Sequence, residues 1–181
     1  MRRHVLLWTR LAVAAGLVLA VAPPTPSSAA VAADGGVDWP MYHADPLHTG
    51  TSTETTLKAS NAASLGLQWQ ANMGNGSNTS PAVVYNATLG KRVVYQGSKN
   101  GTMAAIDAAN GERIWGYPSG AELSSSPAVF DNVVYFGDDN SLLHAVNATT
   151  GAFICSFATG GIINASPPLW PNPAPPRRRG A

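Results

Sequence analysis

Residues 80–115 read SPAVVYNATLGKRVVYQGSKNGTMAAIDAANGERIW, and residues 126–155 read SPAVFDNVVYFGDDNSLLHAVNATTGAFIC. After six extra residues in the first unit, the two align at an offset of 40. Val94, Tyr95 and Gly97 then match Val134, Tyr135 and Gly137. Asp107 matches Asn147, Gly111 matches Gly151, and Trp115 falls opposite Cys155. A third beginning, Ala165-Ser166-Pro167, stands 40 residues after the second Ser-Pro. Self-similarity at such a period marks an array of supersecondary units.

Each unit is built of short apolar runs separated by turn residues. Pro81–Tyr85 and Arg92–Tyr95 have strand character, as do Thr102–Ile106 and Arg113–Trp115. Lys99-Asn100-Gly101 and Ala109-Asn110-Gly111 mark tight turns, because Asn and Gly accept the positive φ that hairpins need. The second unit places Asp139-Asn140 and Thr149-Thr150-Gly151 at the matching turns. The fold expected is all-β, with about four strands per forty residues. A lone four-stranded sheet leaves apolar faces uncovered, so the units must stack. Radial stacking is the propeller solution and takes four to eight blades. A linear β-solenoid or a small sandwich is the alternative.

The run Ala105-Ile106-Asp107-Ala108-Ala109-Asn110-Gly111-Glu112-Arg113-Ile114-Trp115 resembles the tryptophan-docking repeat of quinoprotein-type β-propellers. Asp38-Trp39-Pro40-Met41-Tyr42-His43, with Thr49-Gly50 and Leu67-Gln68-Trp69 after it, is similar to the segment that leads into the first blade of that group. The resemblance covers residues 37–169 and implies a partial β-propeller: about two full four-stranded blades with partial blades on either side. In that family the repeat Trp packs flat between neighbouring blades. The carry-over therefore gives structural roles to Trp69, Gly97, Asp107, Gly111, Trp115, Gly137, Asn147, Gly151 and Cys155. Trp69 corresponds to the outer-strand Trp of a preceding partial blade. Cys155 departs from the pattern, and the smaller side chain predicts a weaker joint, or one repacked with Phe153 and Phe157. The residues agree with these roles in their own right. Trp buries a wide rigid surface with one donor to satisfy, glycines free the backbone, and Asp107 and Asn147 stand where side chains accept turn amides.

Family members include enzymes that oxidise alcohols or sugars with pyrroloquinoline quinone and calcium, and propellers that serve only as scaffolds. The enzymes set a Glu/Asn/Asp constellation on the propeller axis, and many add a vicinal cysteine pair. No such constellation aligns here, and Cys155 is the only cysteine. The function expected is a secreted structural or interaction module without catalysis of its own. Its partners would be another protein or the remaining blades. The alternative is the N-terminal part of a quinone-dependent alcohol or sugar dehydrogenase, and only that alternative brings pyrroloquinoline quinone and Ca2+. Seven blades would need about 280 residues, against 181 in the chain, so a truncated or frame-shifted member, or assembly from several chains, is expected.

No other catalytic or metal site is expected. His43, Asp45 and His48 lack a recognised ligand spacing. Asp138-Asp139-Asn140 lacks the twelve-residue calcium loop and reads as a polar hairpin turn. His144 stands where the first unit has Ala104 and reads as a face-specific substitution rather than half of a catalytic pair.

The ends are unlike the middle. Arg2, Arg3 and Arg10 precede an apolar run, Leu11–Ala22, and then a Pro/Ser stretch of small residues. This predicts a secretory leader over residues 1–30, cut after Ala30 or Ala32. The apolar run is shorter than the roughly 20 residues of a spanning helix, so no stable membrane insertion is expected after cleavage. Residues 170–181, with Arg177, Arg178 and Arg179, read as a disordered Pro/Arg tail. The formal charge of +1 conceals +3 from the leader, −5 from residues 31–176 and +3 from the tail. An acidic body without a basic stripe argues against a nucleic-acid partner.

Overall fold

The computed structural model describes residues 36–168; the expected leader and tail lie outside them. Two four-stranded antiparallel sheets form the body. The first has β1 (Ala82–Asn86), β2 (Lys91–Gly97), β3 (Thr102–Asp107) and β4 (Arg113–Pro118), paired in sequence order. The second repeats the arrangement with β5 (Ala128–Phe130), β6 (Val133–Gly137), β7 (Leu142–Asn147) and β8 (Phe153–Ala158). A 3-10 turn, Ala62–Ser64, lies upstream. The all-β expectation and the forty-residue spacing of strands both hold.

The registers repeat as closely as the sequence does. Ala82 pairs with Tyr95, Tyr95 with Ala105, and Ala105 with Trp115. Ala128, Tyr135, Ala145 and Cys155 make the matching row in the second sheet. Both outer pairs contain a register shift, at Ala105/Ile106 and at Ala145/Val146. Such bulges increase local twist.

The six-residue difference between the units divides into two residues in each of the first two strands and two in the turn between them. The first sheet joins its first two strands through residues 87–90, ending on Gly90 at φ 65°. The second uses only Asp131 and Asn132, both left-handed at φ 47° and 60°. Two consecutive positive φ values define the tight turn that matches strand twist, and Asp and Asn tolerate it best after Gly.

One apolar core runs through both sheets. Val93, Tyr95, Met103, Leu123, Val134, Phe136 and Val146 are fully buried. The inner edges of both sheets are covered by the segment at residues 36–41. Trp39 exchanges two backbone hydrogen bonds with Val83, at 2.7 and 2.8 Å, and the Pro40 carbonyl accepts the Val129 amide at 2.8 Å. Asp38 accepts the Tyr85 amide at 3.0 Å and pairs with Arg92 at 2.8 Å. Open edge strands invite foreign pairing, and this segment occupies them.

The expected flanking partial blades are not sheets. Around Trp69 the chain forms no strand, and residues 162–168 likewise form none.

Candidate functional site

The residues singled out in the sequence converge on the junctions between repeats. At the first junction the Trp69 indole lies over Gly111, where an added Cβ would stand 2.7 Å from Cε3. Its Nε1 donates to the Ala108 carbonyl at 2.9 Å. At the second, the Trp115 indole lies over Gly151, where a Cβ would stand 2.7 Å from Cδ2. Trp115 Nε1 donates to the Ala148 carbonyl at 3.0 Å. Tyr95 donates its hydroxyl to the same carbonyl at 3.0 Å, so one acceptor ties two side chains across the sheets. Gly111 and Gly151 have φ 77° and 71°, so they are required twice over: for left-handed backbone and for room under the indole.

Asp107 and Asn147 shape the turns that present those glycines. Asp107 Oδ1 accepts the Ala109 amide at 2.8 Å, and Asn147 Oδ1 accepts the Thr149 and Thr150 amides at 2.9 Å. Asp107 also binds Lys91 Nζ at 2.6 Å. The hydrogen bond from Lys91 holds the Asp107 carboxyl below the usual carboxylate range. Gly97 and Gly137 act elsewhere in the junction, beneath Leu123 and Ile163. A chain of serines runs alongside: the Ser80 amide donates to Ser126 Oγ at 2.9 Å, and the Ser126 amide to Ser166 Oγ at 3.2 Å. Cys155, opposite Trp115 in the repeat, is exposed and covers nothing. Phe153 and Phe157 beside it are 58% and 69% exposed, with no further sheet of the described residues against them.

A buried polar chain crosses the same junction. Tyr117 Oη lies 3.3 Å from His144 Nδ1, and His144 Nε2 lies 3.0 Å from Asp138 Oδ2. Phe136 stacks on the imidazole with ring centroids 5.1 Å apart. Residues 139 and 140 form the expected polar turn, but Asp138 at its start is fully buried. The signal lay in the pairing: β6 and β7 set Phe136 opposite His144, which puts Asp138 diagonally beside it on one face. The arrangement resembles a catalytic relay but lacks a nucleophile. Burial, and secondarily the charge of Asp138, push the Tyr117 phenol up, so it remains protonated and hydrogen-bonding.

The other polar candidates have local roles. Asp45 accepts the Leu47 amide at 2.8 Å and binds the Thr49 hydroxyl, while His43 stacks on Tyr42 and meets the His48 carbonyl at 3.2 Å. Among the described residues no three His, Cys, Asp or Glu side chains converge. Asp38, Asp107 and Asp138 are each engaged by a basic or imidazole side chain. This donor set does not fit a calcium–quinone centre.

Two four-stranded sheets of repeated register, joined by Trp115 on Gly151, with the same Trp-on-Gly contact repeated by Trp69 on the first sheet, define a repeat protein of propeller-like blades. The chain belongs to the family described as outer membrane protein assembly factor BamB, whose pattern matches residues 53–161. Outer membrane protein assembly factor BamB of Alkalilimnicola ehrlichii is 39% identical over 61 residues, which is 34% of this chain and 16% of that protein. Quinohemoprotein alcohol dehydrogenase ADHIIG of Pseudomonas putida HK5 superposes with a TM-score of 0.58 at 24% identity, over 67% of this chain and 19% of that one. BamB of Moraxella catarrhalis aligns at 24% identity over 36% of this chain and 20% of its own, with a TM-score of 0.33. The chain thus spans under a fifth of the curated relative and of the dehydrogenase.

Proposed function

We propose that the two sheets within residues 82–158 are consecutive blades of a larger β-propeller, in which they provide framework and docking faces rather than reacting groups. The observation that carries this reading is the reiterated joint. Trp69 on Gly111 and Trp115 on Gly151 use the same carbonyl acceptor position forty residues apart. On this reading Trp69, Gly97, Asp107, Gly111, Trp115, Gly137, Asn147 and Gly151 are joint residues, and Cys155 belongs to a joint still to be made. The leader pattern supports an extracytoplasmic location. Among the described residues, no helix is long and apolar enough to cross a membrane.

Two kinds of complete protein could own such blades. The family match supports an interaction propeller with a protein partner. The superposition over 67% of the chain on an alcohol dehydrogenase supports the second reading, the opening blades of a pyrroloquinoline quinone-dependent dehydrogenase. There the quinone and Ca2+ would be held by residues other than those described, and this stretch would brace the ring around them. The test is dye-linked oxidation of primary alcohols and aldoses by the purified chain, with quinone and Ca2+ supplied. The framework reading expects no turnover above a heat-unfolded control, and measurable turnover would overturn it. Coding sequence beyond residue 181 that adds blades with acidic axis residues would select the dehydrogenase.

A further inference from the structure

The second sheet has a face whose counterpart in the first sheet is covered by the neighbouring sheet, and no other sheet of the described residues covers it here. In the first sheet the row Val93, Tyr95, Met103 and Trp115 is buried against the second sheet, at 9% exposure or less. By register the corresponding row in the second sheet is Val133, Tyr135, Leu143 and Cys155, flanked by Phe130 and Phe157. Phe130 is 46% exposed, Phe157 is 69% exposed, and Val133, Tyr135 and Leu143 are half-buried.

The start of a cover is already seated. Ile163 sits over Gly137 as Leu123 sits over Gly97, and its amide donates to the Asp138 carbonyl as that of Leu123 does to Ser98. Ser166 Oγ takes the Ser126 amide as Ser126 Oγ takes that of Ser80. The chain therefore leaves the second sheet along the path by which it left the first, and the occupant of the open face is a third antiparallel sheet that continues the array.

A copy of the second sheet would fit that face imperfectly. Tyr135 keeps the hydroxyl that Tyr95 uses, so a turn carbonyl remains the right acceptor. Cys155, however, has neither the indole donor nor the indole volume of Trp115. A turn ending in a bare glycine, shaped like that around Gly151, would leave a void over the sulfur, and voids in packed apolar interfaces are destabilising. We infer that the face of β8 is a docking surface for a further sheet whose turn projects an apolar side chain over Cys155, reversing the large-on-small order of the two joints before it. This rests on the propeller reading above.

The test places a copy of residues 128–167, its cysteine replaced by Ser, between Pro167 and Pro168 of the full chain. Maleimide labelling of Cys155 is compared between the chain alone, the unaltered copy, and copies with Leu at the counterpart of Thr150 or of Ala152. The unaltered copy should slow labelling, and one Leu copy should slow it by about a further tenfold. With the unaltered copy, Cys155→Trp should raise the urea midpoint, because it restores an indole to meet a glycine turn. If the unaltered copy protects Cys155 as fully as both Leu copies and Cys155→Trp gains nothing, the reversed joint is wrong while docking stands. If no copy slows labelling, the propeller reading itself fails.

Discussion

Trp115 is the side chain on which the junction between the sheets most depends, and its removal gives the sharpest test. The indole is 9% exposed, lies flat over Gly151, has its ring centroid 5.8 Å from that of Tyr95, and donates to the Ala148 carbonyl. Truncating a buried aromatic to Ala costs about 3–5 kcal/mol through lost transfer energy and the cavity left behind. The hydrogen bond adds little here, because Tyr95 continues to satisfy Ala148. Gly151 has no side chain with which to refill the space. The expected loss for Trp115→Ala is therefore about 3–4 kcal/mol, read from urea unfolding of the full chain followed by far-UV circular dichroism. Trp115→Phe keeps most of the packing and forfeits the donor, for a loss of about 1 kcal/mol. Trp69→Ala removes a half-buried ring from a segment that forms no sheet, and should cost less than Trp115→Ala. A Trp115→Ala loss below about 1 kcal/mol in a folded protein would refute the argument that this indole carries the joint.

Three further outcomes follow from the same geometry. Gly151→Ala should cost about 2–3 kcal/mol in the same urea assay, because it combines left-handed backbone strain with a methyl pressed against a rigid indole. The folded-state pKa of Asp107 is depressed, so its contribution is present above the unfolded carboxylate pKa and is lost as pH falls through the folded value; Asp107→Asn should flatten the stability–pH curve below about pH 4. His144→Ala leaves Asp138 Oδ2 buried without its hydrogen-bond partner and should cost about 1–3 kcal/mol. Asp138→Ser with His144→Ala, which copies Ser98 and Ala104 of the first sheet, should recover much of that loss.

The fold was legible wherever local chemistry decides it. Asn and Gly at turns and alternating apolar runs located the strands, and the forty-residue offset linked Trp115 to Cys155 before any pairing was known. What was not legible depends on which residues face each other. The Asp138–His144 pair looked like a polar turn plus a stray histidine, because six residues of sequence separation says nothing until register places both side chains on one face. The Asp131-Asn132 turn escaped because neither residue is Gly, although both adopt positive φ. The resemblance puts Trp69 on an outer strand; its indole finds its glycine although the described chain around it forms no strand. Docking of an indole on a turn evidently does not require a sheet beneath the indole.

The two repeats can also be compared by where they disagree. The shared positions, Tyr95 and Tyr135, Gly111 and Gly151, Ala108 and Ala148, build a joint that any blade could make with any other. The differing positions are also on the joint faces: Asp138, His144, Tyr117 and Trp115 meet between the two sheets, whereas their counterparts Ser98, Ala104, Phe157 and Cys155 stand on the faces turned away from that junction. Tyr117 finds a polar partner only on a sheet that presents His144; Phe157 could not answer it. A sheet presenting Cys155 suits a neighbour different from the one Trp115 meets. Buried polar pairs add little net stability because desolvation offsets most of their attraction, but each penalises the wrong neighbour by leaving a buried group unpaired. Identical joints would let repeats pair out of order, and the interior polar chain gives this junction a reason to form only between its own two sheets.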